Sequence, residues 1–242
     1  MSNCAAFQQA AEHTWHFLKT CHYLGISVGE DAITTNLLVG LSLNAPTTTV
    51  VYDTRPIEPF AGCDFELYVG SNVNGWRGYA VQAKKLSISN GSYASLNHSN
   101  AIGSQIDLLD SYAQAMGIDP IYLFYNTLTS HTAGLCTQPY PLEQIGCTVS
   151  PSSIVRTALA TYGGRKYTWI HSKPSTMLFR CLVCHGSSSH HRSPSTASSV
   201  LEHLPNRVQR ILESGFDHRL AEGNETQLRS RALVVVQTEA VS

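Results

Sequence analysis

The chain has 242 residues, of which 43% are apolar and only 14% charged, with a net charge of -1. That composition is enough for one sizeable core, and the near-neutral balance excludes a protein that coats nucleic acid through a general basic excess. No stretch reaches the roughly 18 apolar residues of a membrane span.

Residues 5–22 place Phe7, Ala11, Trp15, Leu18 and Cys21 at helical spacing, with Gly25 as a stop. A second helix is expected from Glu30-Asp31 onward, with Ile33, Leu37, Leu38 and Leu41 as its apolar stripe. The two acids sit where the positive end of its dipole favours them. Thr47 to Tyr52 is β-branched and reads as a first strand, and Arg55 to Ala61 as a connecting loop. A hairpin follows: Gly62 to Val69 and Trp76 to Leu86 both alternate, and Asn74-Gly75 suits the reversal. Ser87 to Gly103 is polar and reads as a mobile loop. From Ile102 the pattern turns helical through Ile106, Leu109, Ala113 and Met116 to Gly117, and Pro120 to Asn126 reads as a strand buried on both faces.

Ser150-Pro151 suggests a helix start, and Thr176 to Val183 another strand. Gly163 to Lys166 reads as a basic solvated turn. Gly186 to Ser199 has little to bury and reads as a surface loop or disordered insert. Val200 to Leu212 reads as a short helix interrupted at Pro205, and Ala232 to Gln237 as a late strand or an ordered fragment of a tail. The expected division is therefore residues 1–130 as the core with its leading helix, 131–214 as an extension packed on it, and 215–242 as a tail.

The hairpin carries the chemistry. Side chains alternate faces along a strand, so Asp64 and Glu66 share one face of the first half, and Gln82 and Lys84 one face of the second. Paired with that face in common, they bring two carboxylates, an amide oxygen and an ammonium together. A divalent cation needs such oxygens, and phosphodiester hydrolysis needs the cation's charge together with an activated water. Asp64, Gln82, the Ala83 carbonyl and Glu66 are the candidate ligands, Lys84 the candidate for the attacking water, and Glu30 a further acid. Lys85 points the other way and receives no part.

Asp64 followed by Gln82-Ala83-Lys84 resembles the PD-(D/E)XK nucleases, in the Mrr-like variant where Gln replaces the acid before X-Lys. The resemblance covers roughly residues 25–130. It implies a restriction endonuclease-like α/β core of helix, three strands, helix and strand, and metal-dependent cleavage of DNA with Mg²⁺ or Mn²⁺. It also implies a setting in restriction or antiviral (phage) defence. Glu30 stands where many members carry an acid on the first core helix, and Gln105, with Tyr112 further along, is similar to residues that some members hold near the scissile phosphate. Two departures stand out: Gly62-Cys63 replaces a preceding Pro, and Gln82 removes one negative charge.

The near-neutral charge suggests that a homodimer or a partner protein supplies part of the DNA grip. Other readings stay open. One is a non-catalytic binding module on the same fold. Another is a zinc-stabilised protein using Cys181 and Cys184, with His185, His190 and His191 nearby. A strand there would send the two cysteines to opposite faces. Seven cysteines, an odd number at irregular spacing, fit reduced thiols better than a disulfide framework. The N-terminus lacks the pattern of a secretory signal, so a cytoplasmic location without membrane attachment is expected.

Overall fold

The computed structural model describes residues 1–53, 62–99, 101–128, 134–184, 200–214 and 231–238, with the side chains of 51–53, 214 and 231 left aside. It is a mixed α/β structure: one seven-stranded sheet with six α-helices among the described residues. The expected loop at 55–61 and the Ser/His-rich stretch at 186–199 lie outside those residues.

Helix α1 (Asn3–Tyr23) starts where Ser2 Oγ accepts the Ala5 N–H, and it buries the stripe from Ala6 through Trp15 to Cys21. Its backbone packs so closely on the turn before the fifth strand that a Cβ on Gly146 would sit 2.1 Å from the Ala11 carbonyl oxygen. Helix α2 (Glu30–Asn44) has Gly29 at its N-cap with no side-chain cap, and Glu30 and Asp31 in the first turn. Strands β1 (Thr48–Asp53), β2 (Phe65–Ser71) and β3 (Gly75–Lys85) follow, then α3 (Gln105–Met116) and β4 (Asp119–Tyr125). Gly117, left-handed at φ 65°, closes α3: the Ile118 N–H reaches Ala113 and its own N–H reaches Gln114.

The rest of the chain completes the same sheet. Strands β5 (Cys147–Pro151) and β6 (Met177–Leu178) extend it beyond β4, and β7 (Arg231–Gln237) enters between β1 and β2. The full order is β1-β7-β2-β3-β4-β5-β6. β7 runs antiparallel to β1 and parallel to β2, so Ala232 to Val236, expected in a tail, are buried inside the sheet. The extension likewise does not simply pack on the core; it adds strands to it. Helices α4 (Ser152–Ala160), α5 (Tyr167–His171) and α6 (Asn206–Ser214) accompany these strands.

Four expectations change. Ile102 is half exposed and precedes the helix, which starts only after Ser104. Ser87 to Gly103 is anchored rather than loose over its described residues. Tyr93 and Leu96 are buried, and the Tyr93 hydroxyl donates to Asn126 Oδ1 at 2.5 Å. The basic turn at 163–166 is exposed at Gly163, Arg165 and Lys166, as expected, and it also docks on that segment, where the Arg165 carbonyl accepts the Tyr93 N–H and Lys166 Nζ reaches the Asn90 carbonyl at 2.7 Å. Thr176 to Val183 is a strand only at Met177–Leu178; Phe179–Leu182 then winds as a 3₁₀ turn. Leu201 forms a two-way backbone bridge with Trp76 before α6 begins after Pro205.

The cysteines also depart from expectation. Cys4 and Cys184 are joined by a disulfide that ties the first turn of α1 to the segment after β6. It closes across 180 residues of sequence.

Candidate active site

The antiparallel register pairs Phe65 with Val81 and Glu66 with Ala80, and the β3–β4 register pairs Gln82 with Tyr122. Asp64, Glu66, Ala80, Gln82, Lys84 and Tyr122 therefore face one side of the sheet. Helices α3 and α6 contribute to that side, and α2 lies against the other, where the Thr34 and Tyr125 hydroxyls meet at 2.8 Å.

The β2–β3 ladder ends at Phe65 and Val81, which would leave the Ala83 N–H without a strand partner. Asp64 takes that place. Its Oδ2 accepts the Ala83 N–H at 2.6 Å and Gln82 Nε2 at 2.7 Å, while its own N–H bonds the Val81 carbonyl. Gln82, 2% exposed, also sends Nε2 to the Ala83 carbonyl at 3.2 Å, and its Oε1 has no hydrogen-bond partner among the described residues. A buried amide oxygen left unsatisfied costs on the order of 1–3 kcal/mol, which a bound donor or cation would recover.

The donor set suits a hard divalent cation. Oxygens held about 2.1 Å from Mg²⁺ in an octahedron lie about 3 Å from one another. The end of the Gln82 amide sits 2.7 Å from Asp64 Oδ2 and 3.2 Å from the Ala83 carbonyl oxygen, which brackets that spacing. Which amide atom faces Asp64 follows from the surrounding hydrogen bonds, and a positive charge there favours Oε1 instead. Among the described residues no three His, Cys, Asp or Glu side chains form a metal-binding group. The set is thus one carboxylate, one amide oxygen and one backbone carbonyl.

Lys84 is 3% exposed, and its Nζ lies 3.5 Å from Glu30 Oε2. A buried ammonium needs such a partner. Glu30 holds more than the lysine: its Oε1 accepts the Lys85 N–H and the Ser95 hydroxyl, each at 2.9 Å. It thus joins the start of α2, the end of β3 and the Ala94–Asn97 turn. Lys85 itself turns away and donates to the Val28 carbonyl. A cavity of about 420 Å³ opens beside Glu30, lined also by Leu18, His22, Ser87 and Ser95, and meets the site only at that carboxylate.

Glu66 shares the face but not the site. It is 1% exposed; Arg207 Nη2 reaches its Oε2 at 2.5 Å, Tyr68 donates to the same oxygen at 3.0 Å, and Tyr112 donates to Oε1. Burial pushes the Tyr112 and Tyr68 hydroxyls up, with Arg207 pulling the other way. With these partners around it, Glu66 anchors α3 and α6 to β2 and leaves the ligand set. Tyr112 belongs to that anchor too. Gln105 opens α3, with its N–H on the His98 carbonyl and its Oε1 buried without a partner among the described residues. Gly62, left-handed at φ 62°, lets the helix come this close to Asp64: a Cβ there would lie 2.5 Å from the Gln105 carbonyl oxygen.

Arg207 and Tyr122 had no signal in the sequence. Arg207 lies 141 positions from Glu66, in a helix whose docking no local pattern specifies. Tyr122 sits in an apolar run, and only the strand register sets it across from Gln82. Burial pushes its hydroxyl up, Asp64 adds to this, and that hydroxyl has no partner among the described residues.

Fold and site together define a mixed α/β protein carrying an Asp, Gln-Ala-Lys cluster where its central strands β2 and β3 stop pairing. The chain belongs to a family of unknown function, DUF6615, whose profile matches residues 3–241. No curated protein matches it.

Proposed function

We propose that the protein is a metal-dependent nuclease that hydrolyses phosphodiester bonds, in DNA above all, on a restriction endonuclease-like core. The observation that carries the reading is that Asp64 Oδ2 and the Gln82 side-chain amide meet on the sheet face shared by buried Lys84. The order α2-β1-β2-β3-α3-β4 supports it.

Asp64, Gln82 and the Ala83 carbonyl would hold Mg²⁺ or Mn²⁺. Bound there, the ion supplies charge to the phosphate and acidity to a water. Lys84, as an ammonium paired with Glu30, would orient the attacking water and balance charge growing on the phosphate. Glu30 is a positioning residue that holds Lys84 Nζ on the site face. Gln105, whose Oε1 is buried without a partner among the described residues, would orient the substrate from the start of α3. The neutral surface calls for a homodimer or a partner protein on DNA. The reading assigns the protein to the cytoplasm, in restriction or phage defence. No helix among the described residues is long and apolar enough to cross a membrane.

One observation favours a second reading, a non-catalytic binding module: the Asp64 carboxylate already accepts two hydrogen bonds from β3. Plasmid cleavage with Mg²⁺ or Mn²⁺ decides between them. Cleavage by the wild type that vanishes in Asp64→Ala and Lys84→Ala, each with an intact melting transition, supports the nuclease. Unchanged cleavage in either variant overturns the site, and no cleavage of DNA or RNA by the wild type favours the module.

A further inference from the structure

The C-terminal half holds a second cluster that the nuclease reading does not use. Cys136 and Cys181 are thiols whose sulfurs lie 3.5 Å apart. Cys184, three residues after Cys181, is the one bonded to Cys4. The 3₁₀ turn Phe179–Leu182 carries on to Cys184, because Val183 and Cys184 both donate to the Arg180 carbonyl at 2.9 Å. Side chains three apart on such a turn project from the same side. The strand expected here would have separated them. Four sulfurs, from the start of α1, the 134–140 segment and the Cys-x-x-Cys turn, are thus brought to one region.

We propose that Cys4, Cys136, Cys181 and Cys184 form a structural zinc site, and that the Cys4–Cys184 disulfide is its oxidised, metal-free form. Tetrahedral thiolate zinc has bonds of about 2.3 Å, which sets neighbouring sulfurs about 3.8 Å apart. The 3.5 Å between Cys136 and Cys181 is close to that edge, and too long for a covalent bond. Zinc-bound thiolates need outer partners that offset their charge. Arg180 supplies one, its Nη2 lying 3.5 Å from Cys136 Sγ and 3.4 Å from the Pro139 carbonyl, and the Gln138 backbone N–H donates to the same sulfur.

With the disulfide closed, no three metal-ligating side chains among the described residues are placed to hold an ion. Opening it requires two electrons and two protons from a dithiol reductant, which leaves as its own disulfide. Four thiols then release four protons to solvent as zinc binds. In either state the cluster staples α1 to the strands at the far end of the sheet, so oxidation exchanges one crosslink for another. His185, His190 and His191 lie outside the described residues, and the four-cysteine set does not need them.

The test uses the full chain purified under a dithiol reductant, with zinc measured by plasma mass spectrometry. The expected result is about one zinc per chain, lost in Cys136→Ser and in Cys181→Ser and kept in Cys21→Ser and Cys147→Ser. Should the first two variants not fold, cobalt(II) reconstitution of the wild type reads the ligands through its thiolate charge-transfer bands. Metal-free protein after reduction, zinc that persists in both variants, or cobalt spectra without those bands each overturns the site. The readout is metal content, so the absence of DNA cleavage leaves this result untouched.

Discussion

Asp64 and Glu66 are two residues apart and face the same side of the sheet, yet their surroundings differ in kind. Glu66 lies inside the ladder as the second residue of β2, where α3 and α6 cover it, and Tyr68, Tyr112 and Arg207 take its oxygens. Asp64 lies where the β2–β3 ladder stops, and its partners include an amide side chain and a backbone N–H at the strand end. A carboxylate in mid-sheet must bring its own cation, because burial makes an unpaired charge expensive. At the strand end Asp64 accepts from an amide and a backbone N–H, dipoles that an added ion can join. Position along the strand separates an anchor from a candidate ligand.

The largest expected effect falls on the strand-end group. Lys84→Ala and Asp64→Ala should each lower the rate of plasmid cleavage by ~10²–10⁴-fold, the usual range for a positioned proton-transfer group, with the melting transition retained. Arg207→Ala should do the reverse. It strands Glu66 in the interior and costs about 3–5 kcal/mol in urea unfolding, while cleavage by the folded fraction is unchanged. Equal losses of cleavage in Lys84→Ala and Arg207→Ala would erase the distinction.

A second sealed group extends the comparison to pH. His171 is buried as a neutral ring, with Nδ1 donating to the Tyr167 carbonyl at 2.9 Å and Nε2 accepting from the Thr148 hydroxyl at 2.7 Å. Burial, partly offset by the Tyr167 carbonyl, brings its pKa down to about 3. The unfolded chain therefore takes up a proton below about pH 6.5 that the folded chain refuses. The stability is fully present above that value and falls as pH drops, by about 1.4 kcal/mol per pH unit. Urea melts between pH 7.5 and 5 should show this slope, and His171→Asn should reduce it by one proton.

Smaller effects refine the site. Gln82→Glu places a second carboxylate 2.7 Å from Asp64 Oδ2 in place of a donor. It should cost about 1–2 kcal/mol without metal and give a larger rise in melting temperature on adding Mg²⁺ than the wild type shows. Lys85→Ala should cost only about 1 kcal/mol, the value of its bond to Val28, and leave cleavage as it was.

Much of this was legible in the sequence. The α2 stripe, the alternation of the 62–86 hairpin, and the shared face of Asp64, Glu66, Gln82 and Lys84 follow from periods of 3.6 and 2, which are local properties of the chain. Other features depend on contacts between distant segments. Residues 232–237 read as a late strand or an ordered fragment of a tail because a short apolar run does not name its neighbour, and only the assembled sheet sets them between β1 and β2. The turn at 179–182 overrode a strand-like pattern, since β6 stands at the sheet edge and pairs only through Met177 and Leu178. By itself, the sequence determined which side chains share the face carrying Asp64. Tertiary structure alone decided which of them are neutralised, because burial and charge pairing depend on what packs above each one, and for Glu66 that cover comes from a helix 141 residues away.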